Sequence, residues 1–469
     1  MHLQIKNLGQ IKQANIHVND LTIICGPNGS NKTWLSYAIY HHLAFPKISN
    51  IIVGWKIEQN EPLDNGTVVI NMHDASFLNQ LIGHFEVYDR HSASELARTF
   101  NVNESFFTET TINQIVKDKP IEQSLAYLNA VAFQQNLIES SFKIEHKAIH
   151  VISEKDDPEL QITLTDGNYS SEKVAFAFGV ALRTRLNEFQ FAHRPFAITS
   201  ERVGCLAFQK DIDGTALRIK DTIDEILEEQ QFIDNLQLEQ FITRIQAQIF
   251  GNRSNLASPV RANLRAVRDA EQELKKQSFL QHTHPEINQA LRAITQGSFS
   301  SNNGVLQYQF GENQHVPMTV ASSSIKSLFH LDLYINNLAK EGDVLLIDEP
   351  ELNLHPDNQR KMAKVLARLT NAGIKVLITT HSDYLIREIN NSIMLSHDVE
   401  DKQAIMARNQ IQPCDLLSST QVSAYSIDIE GKINTLEVNQ MGIDTQIFDT
   451  IIDQSNQLQN EIYYHLNDE

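Results

Sequence analysis

Four apolar residues that run directly into two carboxylates are the feature that most limits how this chain can fold. Residues Val344–Ile347 show no alternation of apolar and polar side chains, which predicts a strand buried on both faces, as in a parallel sheet. Asp348 and Glu349 follow at its carboxyl end, where open α/β sheets bind ligands. Taken alone, these residues also fit a buried strand that ends in a solvated acidic turn.

A second segment, near the start of the chain, decides between these interpretations. Residues 26–33 read GPNGSNKT, after an apolar run at 21–25 and before a helical pattern at 34–43. Strand, glycine-bearing loop and helix form the context of a phosphate-binding loop, whose amides and helix N-terminus attract phosphate. We expect Lys32 to reach the β- and γ-phosphates of ATP and the Thr33 hydroxyl to ligate Mg²⁺. The predicted nucleotide-binding residues of the loop are Asn28, Gly29, Ser30, Asn31, Lys32 and Thr33.

One position of this loop departs from the usual pattern, G-x-x-x-x-G-K-[ST], because Asn31 stands where the second glycine is expected. Asparagine is the non-glycine residue that most readily adopts left-handed backbone angles. We therefore expect the loop to keep its shape, with added bulk near the phosphates.

Composition excludes several classes of protein. The formal net charge is 39 − 58 = −19, which argues against a general nucleic-acid-coating role, because nonspecific affinity comes from Lys and Arg. Three isolated cysteines predict buried thiols in a reducing compartment. The first ten residues lack the apolar core of a signal peptide, and no apolar run approaches the roughly 20 residues of a membrane span. We expect a cytoplasmic protein with no membrane partner.

Four segments together resemble the ATP-binding-cassette class of ATPases, in the branch with the structural-maintenance-of-chromosomes (SMC), RecF-like and overcoming-lysogenisation-defect proteins. They are GPNGSNKT, ASSSIKSL at 321–328, LLIDEPELNLHP at 345–356 and LITTHSDYLI at 377–386. The resemblance covers roughly residues 1–43 and 195–395. It implies an α/β P-loop ATPase core, a mixed sheet flanked by helices, with an inserted helical or coiled-coil lobe and a small carboxyl-terminal α+β cap.

The resemblance also divides the 469-residue chain into four regions. They are an amino-terminal ATPase lobe (1–210) with a mixed insertion at about 44–190, a helical arm (211–300), a carboxyl-terminal ATPase lobe (301–395) and a cap (396–469). Within the insertion, the pattern of Pro120–Phe142 predicts a helix. In the arm, an acidic helix at 221–239 precedes a basic strip at 253–276. The strip is interpreted as a solvated face paired with the acidic helix, and the alternative is a contact for nucleic acid or a partner.

The resemblance assigns a role to each residue of the catalytic centre. It implies that Asp348 holds Mg²⁺ together with Thr33, and that Glu349 polarises the attacking water. His381 would contact the γ-phosphate and orient that water, and residues 351–355 would form a loop that crosses a dimer interface. Taken alone, a histidine at a strand end is more often structural.

The segment Ala321–Leu328, here called the serine segment, implies a second subunit. In the family, a serine and a helix N-terminus at this position bind the γ-phosphate of ATP held by the other subunit. Ser322 or Ser323 would take that role, so that two subunits sandwich two ATP molecules head to tail. Ser324 stands where the family has glycine. Without the family, the segment is an ordinary helix cap. The resemblance also implies that Glu201 stands at the loop that other members use to sense Mg²⁺ and γ-phosphate.

The residues after 391 bear on what the ATPase does. They include several acidic side chains but no DxD constellation, so we expect no intrinsic nuclease. This profile is similar to the ATPase subunits of bacterial anti-phage systems such as Septu or PARIS, which pair with a separate nuclease. We therefore predict a defence ATPase that dimerises around ATP and controls a separate nuclease or toxin effector. Two alternatives stay open: a RecF- or SMC-like DNA-repair ATPase, and a nucleotide-gated scaffold with little hydrolysis.

Overall fold

The computed structural model describes a set of segments that together contain the four motif segments. They are residues 1–44, 67–71, 93–114, 138–144, 147–153, 159–164, 195–208, 256–302, 304–311, 314–444, 456–463 and 465. The strands are β1 (His2–Leu8), β2 (Ile11–His17), β3 (Leu21–Cys25), β4 (Thr67–Asn71), β5 (Thr111–Gln114), β6 (Ile138–Ile144), β7 (Lys147–Ser153), β8 (Glu159–Leu164), β9 (Pro195–Ile198), β10 (Ser298–Asn302), β11 (Val305–Phe310), β12 (Gln314–Pro317), β13 (Val344–Asp348), β14 (Lys375–Thr380), β15 (Val422–Ile427), β16 (Ile433–Leu436), β17 (Val438–Asn439) and β18 (Gly442–Ile443).

The α-helices are α1 (Lys32–Ala44), α2 (Ala93–Phe100), α3 (Ser258–Arg268), α4 (Ala270–Glu273), α5 (Phe279–Thr283), α6 (Pro285–Thr295), α7 (Ser323–Leu333), α8 (Pro356–Asn371), α9 (Asp383–Met394) and α10 (Lys402–Arg408). A π-helical turn, Tyr334–Leu338, follows α7, and residues 456–463 are also helical. Short 3₁₀ turns occur at Glu104–Phe107, Pro413–Asp415 and Ser419–Gln421.

A six-stranded sheet of order β16-β15-β3-β14-β13-β9 forms the centre of the fold. Its neighbours are parallel from β15 to β9, whereas β16 runs antiparallel to β15. Every residue of β3 and of β13 is buried, which is why these strands carry no polar alternation. The predicted α/β fold, a mixed sheet flanked by helices, is confirmed.

Alternate residues of β13 supply the two cores of this layered fold. Leu345 and Ile347 pack with helices α6, α8 and α9 on one face of the sheet. Val344 and Leu346 pack with α1 and the β1–β2 hairpin on the other face. Burial of apolar surface on both faces stabilises the sheet by about 25 cal/mol per Å². The sheet therefore holds the carboxyl ends of its strands in fixed positions.

The smaller sheets have the orders β2-β1-β5, β10-β11-β12, β4-β8-β7-β6 and β17-β18. One prediction in the insertion is wrong at its carboxyl end, since residues 138–142 of the predicted helix belong to strand β6, which pairs with β7. The sequence there alternates Ile138, Ser140, Phe142 and Ile144 with other residues, a period of two that fits a strand. The rest of that prediction, 120–137, lies outside the described residues.

Residues assigned to the arm and the cap contribute to the main body of the fold. Helix α6 of the arm buries Ile287 and Leu291 in the same core as α8, while the predicted acidic helix lies outside the described residues. Strand β15 of the cap pairs in parallel with β3, so the cap extends the central sheet. Among the described residues, no helix has the length and apolar character needed to cross a membrane.

Candidate nucleotide site

The motif residues meet at one edge of the central sheet, because β3, β14 and β13 are adjacent parallel strands. The phosphate loop leaves the end of β3, Glu349 follows β13, and His381 follows β14. Segments that are more than 300 residues apart in the sequence are therefore neighbours at this edge, as the sequence predicts for Asp348 and the phosphate loop.

The phosphate loop has the backbone shape that its sequence predicts. Asn31 has a φ of 66°, in the left-handed region where asparagine is the best-tolerated non-glycine residue. Its side-chain Nδ2 donates a hydrogen bond to Gln10 Oε1 at 3.0 Å. Helix α1 begins immediately afterwards, at Lys32, so its N-terminal amides lie beside the loop. Asn28 and Gly29 are exposed at the tip.

Lys32 holds a positive charge inside this loop. Its Nζ donates to the carbonyls of Gly26 and Pro27, both at 2.8 Å, and the residue is buried. Burial lowers the pKa of Lys32, and the nearby carboxylates, Glu349 foremost, oppose that effect. The buried Ser30 hydroxyl has no hydrogen-bond partner in the described part of the chain. A buried ammonium and an unsatisfied hydroxyl next to a helix N-terminus fit a phosphate group.

The two predicted metal ligands are in contact. Thr33 Oγ1 donates to Asp348 Oδ2 at 3.0 Å, and the other carboxylate oxygen of Asp348 accepts a hydrogen bond from the Thr379 hydroxyl of β14. Magnesium prefers oxygen ligands and usually keeps several waters. A hydroxyl and a carboxylate that converge beside the phosphate loop fit this ion, with Thr33 and Asp348 as the residues that would hold it.

Glu349 has a strained backbone. Its φ is 52°, and a non-glycine residue in this region costs about 1–3 kcal/mol. Its amide donates to the carbonyl oxygen of Thr379 at 3.0 Å, which helps to hold the turn. Burial raises the pKa of the Glu349 carboxyl, as do Asp348 and Glu351, while His381 and Lys32 lower it. The carboxyl is thus a stronger base than a solvated glutamate.

His381 stands between two carboxylates. Its Nδ1 lies 3.5 Å from Glu349 Oε1 and 3.6 Å from Glu351 Oε1. Glu351 is 4% exposed, and its Oε1 accepts hydrogen bonds from the Thr380 hydroxyl at 2.7 Å and from the His381 amide at 3.0 Å. Glu351 therefore fixes the strand end that carries His381. Sequence reasoning assigned Glu351 only to an interface loop and missed this contact.

Arg202 is the residue of this region that sequence reasoning missed most completely. It is 1% exposed, and its Nη1 donates to the carbonyl of Asp348 at 2.7 Å while Nη2 donates to that of Glu349 at 2.6 Å. Burial lowers the pKa of Arg202 to about 10, against the opposing effect of nearby carboxylates, so it stays charged at neutral pH. The only sequence signal is an arginine after a short strand, which many exposed turns share.

The exposed start of the serine segment, Ser322 and Ser323, makes no contact with these residues through a hydrogen bond in the described part of the chain. Ser322 caps α7, where its side chain accepts a hydrogen bond from the amide of Ile325 at 3.3 Å. Ser322 and Ser323 are both exposed, and no hydrogen bond in the described part of the chain joins them to the phosphate loop. Glu201 accepts a hydrogen bond from the Tyr37 hydroxyl at 3.4 Å, which places it near α1.

Comparison with known proteins adds a family match over most of the chain. Residues 1–386 match the family described as the AAA ATPase domain. The chain is also similar to the energy-coupling factor transporter ATP-binding protein EcfA of Carboxydothermus hydrogenoformans, with 28% identity over 100 residues. That similarity covers 20% of this chain and 37% of the length of EcfA.

The solved structures to which the chain is similar include head domains of SMC proteins. One is the Smc head domain with an extended coiled coil, bound to the C-terminal domain of ScpA, from Pyrococcus furiosus, with 10% identity, a TM-score of 0.28 and 98% of each chain covered. Another is the SMC head domain from Thermotoga maritima, with 10% identity and a TM-score of 0.28 over 93% of this chain and 98% of that one.

Proposed function

Because this chain belongs to the AAA ATPase domain family, we propose that it binds ATP with Mg²⁺ and hydrolyses it at the edge formed by β3, β13 and β14. One observation carries the proposal: Thr33 of the phosphate loop contacts Asp348 at 3.0 Å, although 315 residues separate them in sequence. Contact between these two oxygen donors is what a metal shared by the loop and the acidic strand requires.

Each residue of the site has a task in this reaction. The amides of α1 and the Lys32 ammonium bind the β- and γ-phosphates, and Lys32 exchanges its contacts with Gly26 and Pro27 for phosphate oxygens. Glu349 accepts a proton from the attacking water, and the imidazole of His381, 3.5 Å from that carboxylate, orients the water. When bound, Mg²⁺ neutralises charge on the phosphates.

The proposal is tested by ATP turnover of purified protein. Lys32→Ala removes the loop cation and is expected to abolish ATP binding, whereas Lys12→Ala, at an exposed position of β2, keeps it. Glu349→Gln is expected to retain ATP binding and lose about 10²–10⁴-fold in kcat, the usual contribution of a general base. Glu430→Gln, at an exposed turn, is the matched control. ATP binding by Lys32→Ala equal to that of the wild type would refute the site.

We further propose that two subunits close on ATP through the serine segment. Support comes from the exposed Ser322 and Ser323 at the N-terminus of α7, where a helix end and hydroxyls suit a phosphate. The Ser322→Ala, Ser323→Ala double variant is expected to bind ATP as a monomer but to lose ATP-dependent dimerisation in sedimentation measurements. A double variant that still dimerises with ATP contradicts this step.

We propose that the ATPase controls a separate nuclease or toxin effector in an anti-phage defence complex. The support is the profile of an ATPase whose residues after 391 carry no DxD nuclease constellation, a profile similar to that of the ATPase subunits of Septu or PARIS. Copurification from the native operon with mass measurement tests it, because it reports partner and stoichiometry together. Recovery of a nuclease favours defence. DNA-stimulated turnover that weakens steeply with salt favours the repair ATPase instead, and tight ATP binding without turnover favours the scaffold.

A further inference from the structure

The guanidinium of Arg202 joins the turn at Asp348 and Glu349, here called the catalytic turn, to helix α7, which begins in the serine segment. Its Nε donates to the carbonyl of Ser327 in α7 at 3.0 Å, and Nη2 donates to the carbonyl of Glu349 at 2.6 Å. A further bond from Nη1 reaches the carbonyl of Thr199, at the end of β9, at 3.0 Å. One buried side chain thus bridges its own turn to two segments that lie 125 and 147 residues further along the chain.

Because the Arg202 guanidinium is rigid, a displacement at one of its hydrogen bonds affects the others. The guanidinium is planar and its donors have fixed directions, so a shift of Ser327 must turn the whole group or break a hydrogen bond. At the other end, Glu349 is held from two sides, by Arg202 at its carbonyl and by Thr379 at its amide. Its left-handed φ of 52° persists only while such contacts hold it.

The Arg202 guanidinium contacts the same helix, α7, that begins at the exposed Ser322 and Ser323. A movement of that helix would therefore displace the guanidinium. Ser327 lies about one and a half helical turns after the cap Ser322, so a displacement of the exposed start of α7 would reach the carbonyl that Arg202 contacts. The turn after β9, which contains Thr199, is also hydrogen-bonded to helix α3 of the arm. Asn263 Oδ1 of α3 accepts hydrogen bonds from the amide of Thr199 at 2.9 Å and from its hydroxyl at 3.1 Å, while His330 of α7 contacts the carbonyl of Asn263 at 3.1 Å.

We propose that Arg202 is a positioning residue that couples the serine segment to Glu349, so that turnover responds to a nucleotide phosphate bound at the start of α7. Arg202 does not touch the reacting atoms in this scheme. It sets the backbone that aims the Glu349 carboxylate, and it changes that aim when α7 moves. The inference rests on the proposed ATPase function and on closure through the serine segment.

A buried arginine can also serve stability alone, and the chain offers a matched control for that role. Arg368 of α8 is 6% exposed, and its guanidinium contacts Asp415 at 2.6 Å and the carbonyl of Glu286 at 2.5 Å. Like Arg202, it is buried and bridges distant segments, but it has no hydrogen bond to the catalytic turn in the described structure. Arg202→Lys and Arg368→Lys therefore both replace a buried fork by a point charge.

The decisive measurement is the steady-state kinetics of the two lysine variants, with ATP affinity and thermal midpoint recorded on the same preparations. We expect both variants to lose stability and to keep wild-type ATP affinity. Only Arg202→Lys should lose kcat, by about 100-fold, the effect of a small misplacement of a catalytic group, with KM unchanged. Equal kcat losses in the two variants, or a change confined to KM, overturn the inference.

A second measurement decides the question if Arg202→Lys does not fold. Hydrogen exchange of the wild-type chain is followed with and without a non-hydrolysable ATP analogue, and then repeated in the Ser322→Ala, Ser323→Ala double variant. We expect the analogue to protect the amides of residues 199–202 in the wild type only. Protection that persists in the double variant overturns the inference. Failure of the proposed function looks different, since the wild-type chain would then neither bind nor hydrolyse ATP.

Discussion

Asn31 should reverse the usual order of glycine and alanine in their effects on stability. In a right-handed helix, alanine is more stable than glycine by about 0.5–1 kcal/mol. Asn31 has a φ of 66°, where a Cβ collides with the following carbonyl at a cost of about 1–2 kcal/mol. Asn31→Gly should therefore be tolerated better than Asn31→Ala, although glycine is the more flexible residue.

The magnitude follows from the contacts of this side chain. Either substitution removes the bond from Asn31 to Gln10, worth about 1 kcal/mol. Alanine also lacks the polar side chain that eases left-handed angles, which adds about 1 kcal/mol, for a total of about 2 kcal/mol. Glycine instead recovers about 1 kcal/mol of backbone strain and loses roughly 0.4–1 kcal/mol through the greater entropy of its unfolded chain. The net cost of glycine is thus below about 1 kcal/mol.

Trp34 provides a local probe for this comparison. It packs against Phe100 and Phe107, with ring centroids 5.1 Å and 5.8 Å away, and it lies three residues after the substitution. Urea unfolding followed by tryptophan fluorescence, in a Trp55→Phe background, reports the folded state around the loop. Ala404→Gly in helix α10 is the control, and it should show the ordinary order by losing stability. An Asn31→Ala protein as stable as Asn31→Gly refutes the reasoning.

Three further predictions concern charge and metal. The kcat should rise with pH through a midpoint above the ordinary glutamate pKa, because burial raises the pKa of Glu349 and only the ionised carboxylate accepts a proton. A kcat that does not change with pH across that range contradicts this prediction. Arg368→Met should destabilise the fold by about 3–5 kcal/mol, since it leaves the buried Asp415 unpaired; urea unfolding measures this, and adding Asp415→Leu should restore most of the loss. A chelator should stop turnover, and Thr33→Val should raise the Mg²⁺ concentration for half-maximal rate about tenfold or more; an unchanged Mg²⁺ titration would exclude Thr33 as a ligand.

Local motifs explain why much of the site could be predicted from the sequence. The loop that contains Lys32 and Thr33 is contiguous, and its strand, turn and helix are each encoded by neighbouring residues. The unalternated apolar run of β13 likewise predicts its own burial and the exit point of Asp348. Their contact follows from parallel strands that end at one edge.

Contacts that form only in the tertiary structure have no local motif in the sequence from which they could be predicted. The function proposed for Arg202 depends on the carbonyls of Ser327 and Glu349, which only the folded backbone brings together. Glu351 gains its role from burial under the end of β14. The sequence predicts residues 396–469 only as a small α+β cap, because the parallel pairing of β15 with residues 21–25 has no local sequence pattern that would place β15 in the central sheet.

The pairing of β3 between β14 and β15 sets the order in which the nucleotide site can form during synthesis. The residues that we propose for catalysis all lie at or before position 381, yet β3 has its second neighbour only after residues 422–427 have been made. The same late strand supplies the hydroxyl of Tyr425, which accepts a hydrogen bond from the His17 amide at 2.7 Å. Until then the nascent chain presents β3 as an open edge, the kind of surface on which strands of other chains aggregate. Completion of the sheet around the candidate nucleotide site therefore waits for translation of residues 422–427, and a polypeptide truncated before β15 leaves the phosphate loop on an unprotected edge.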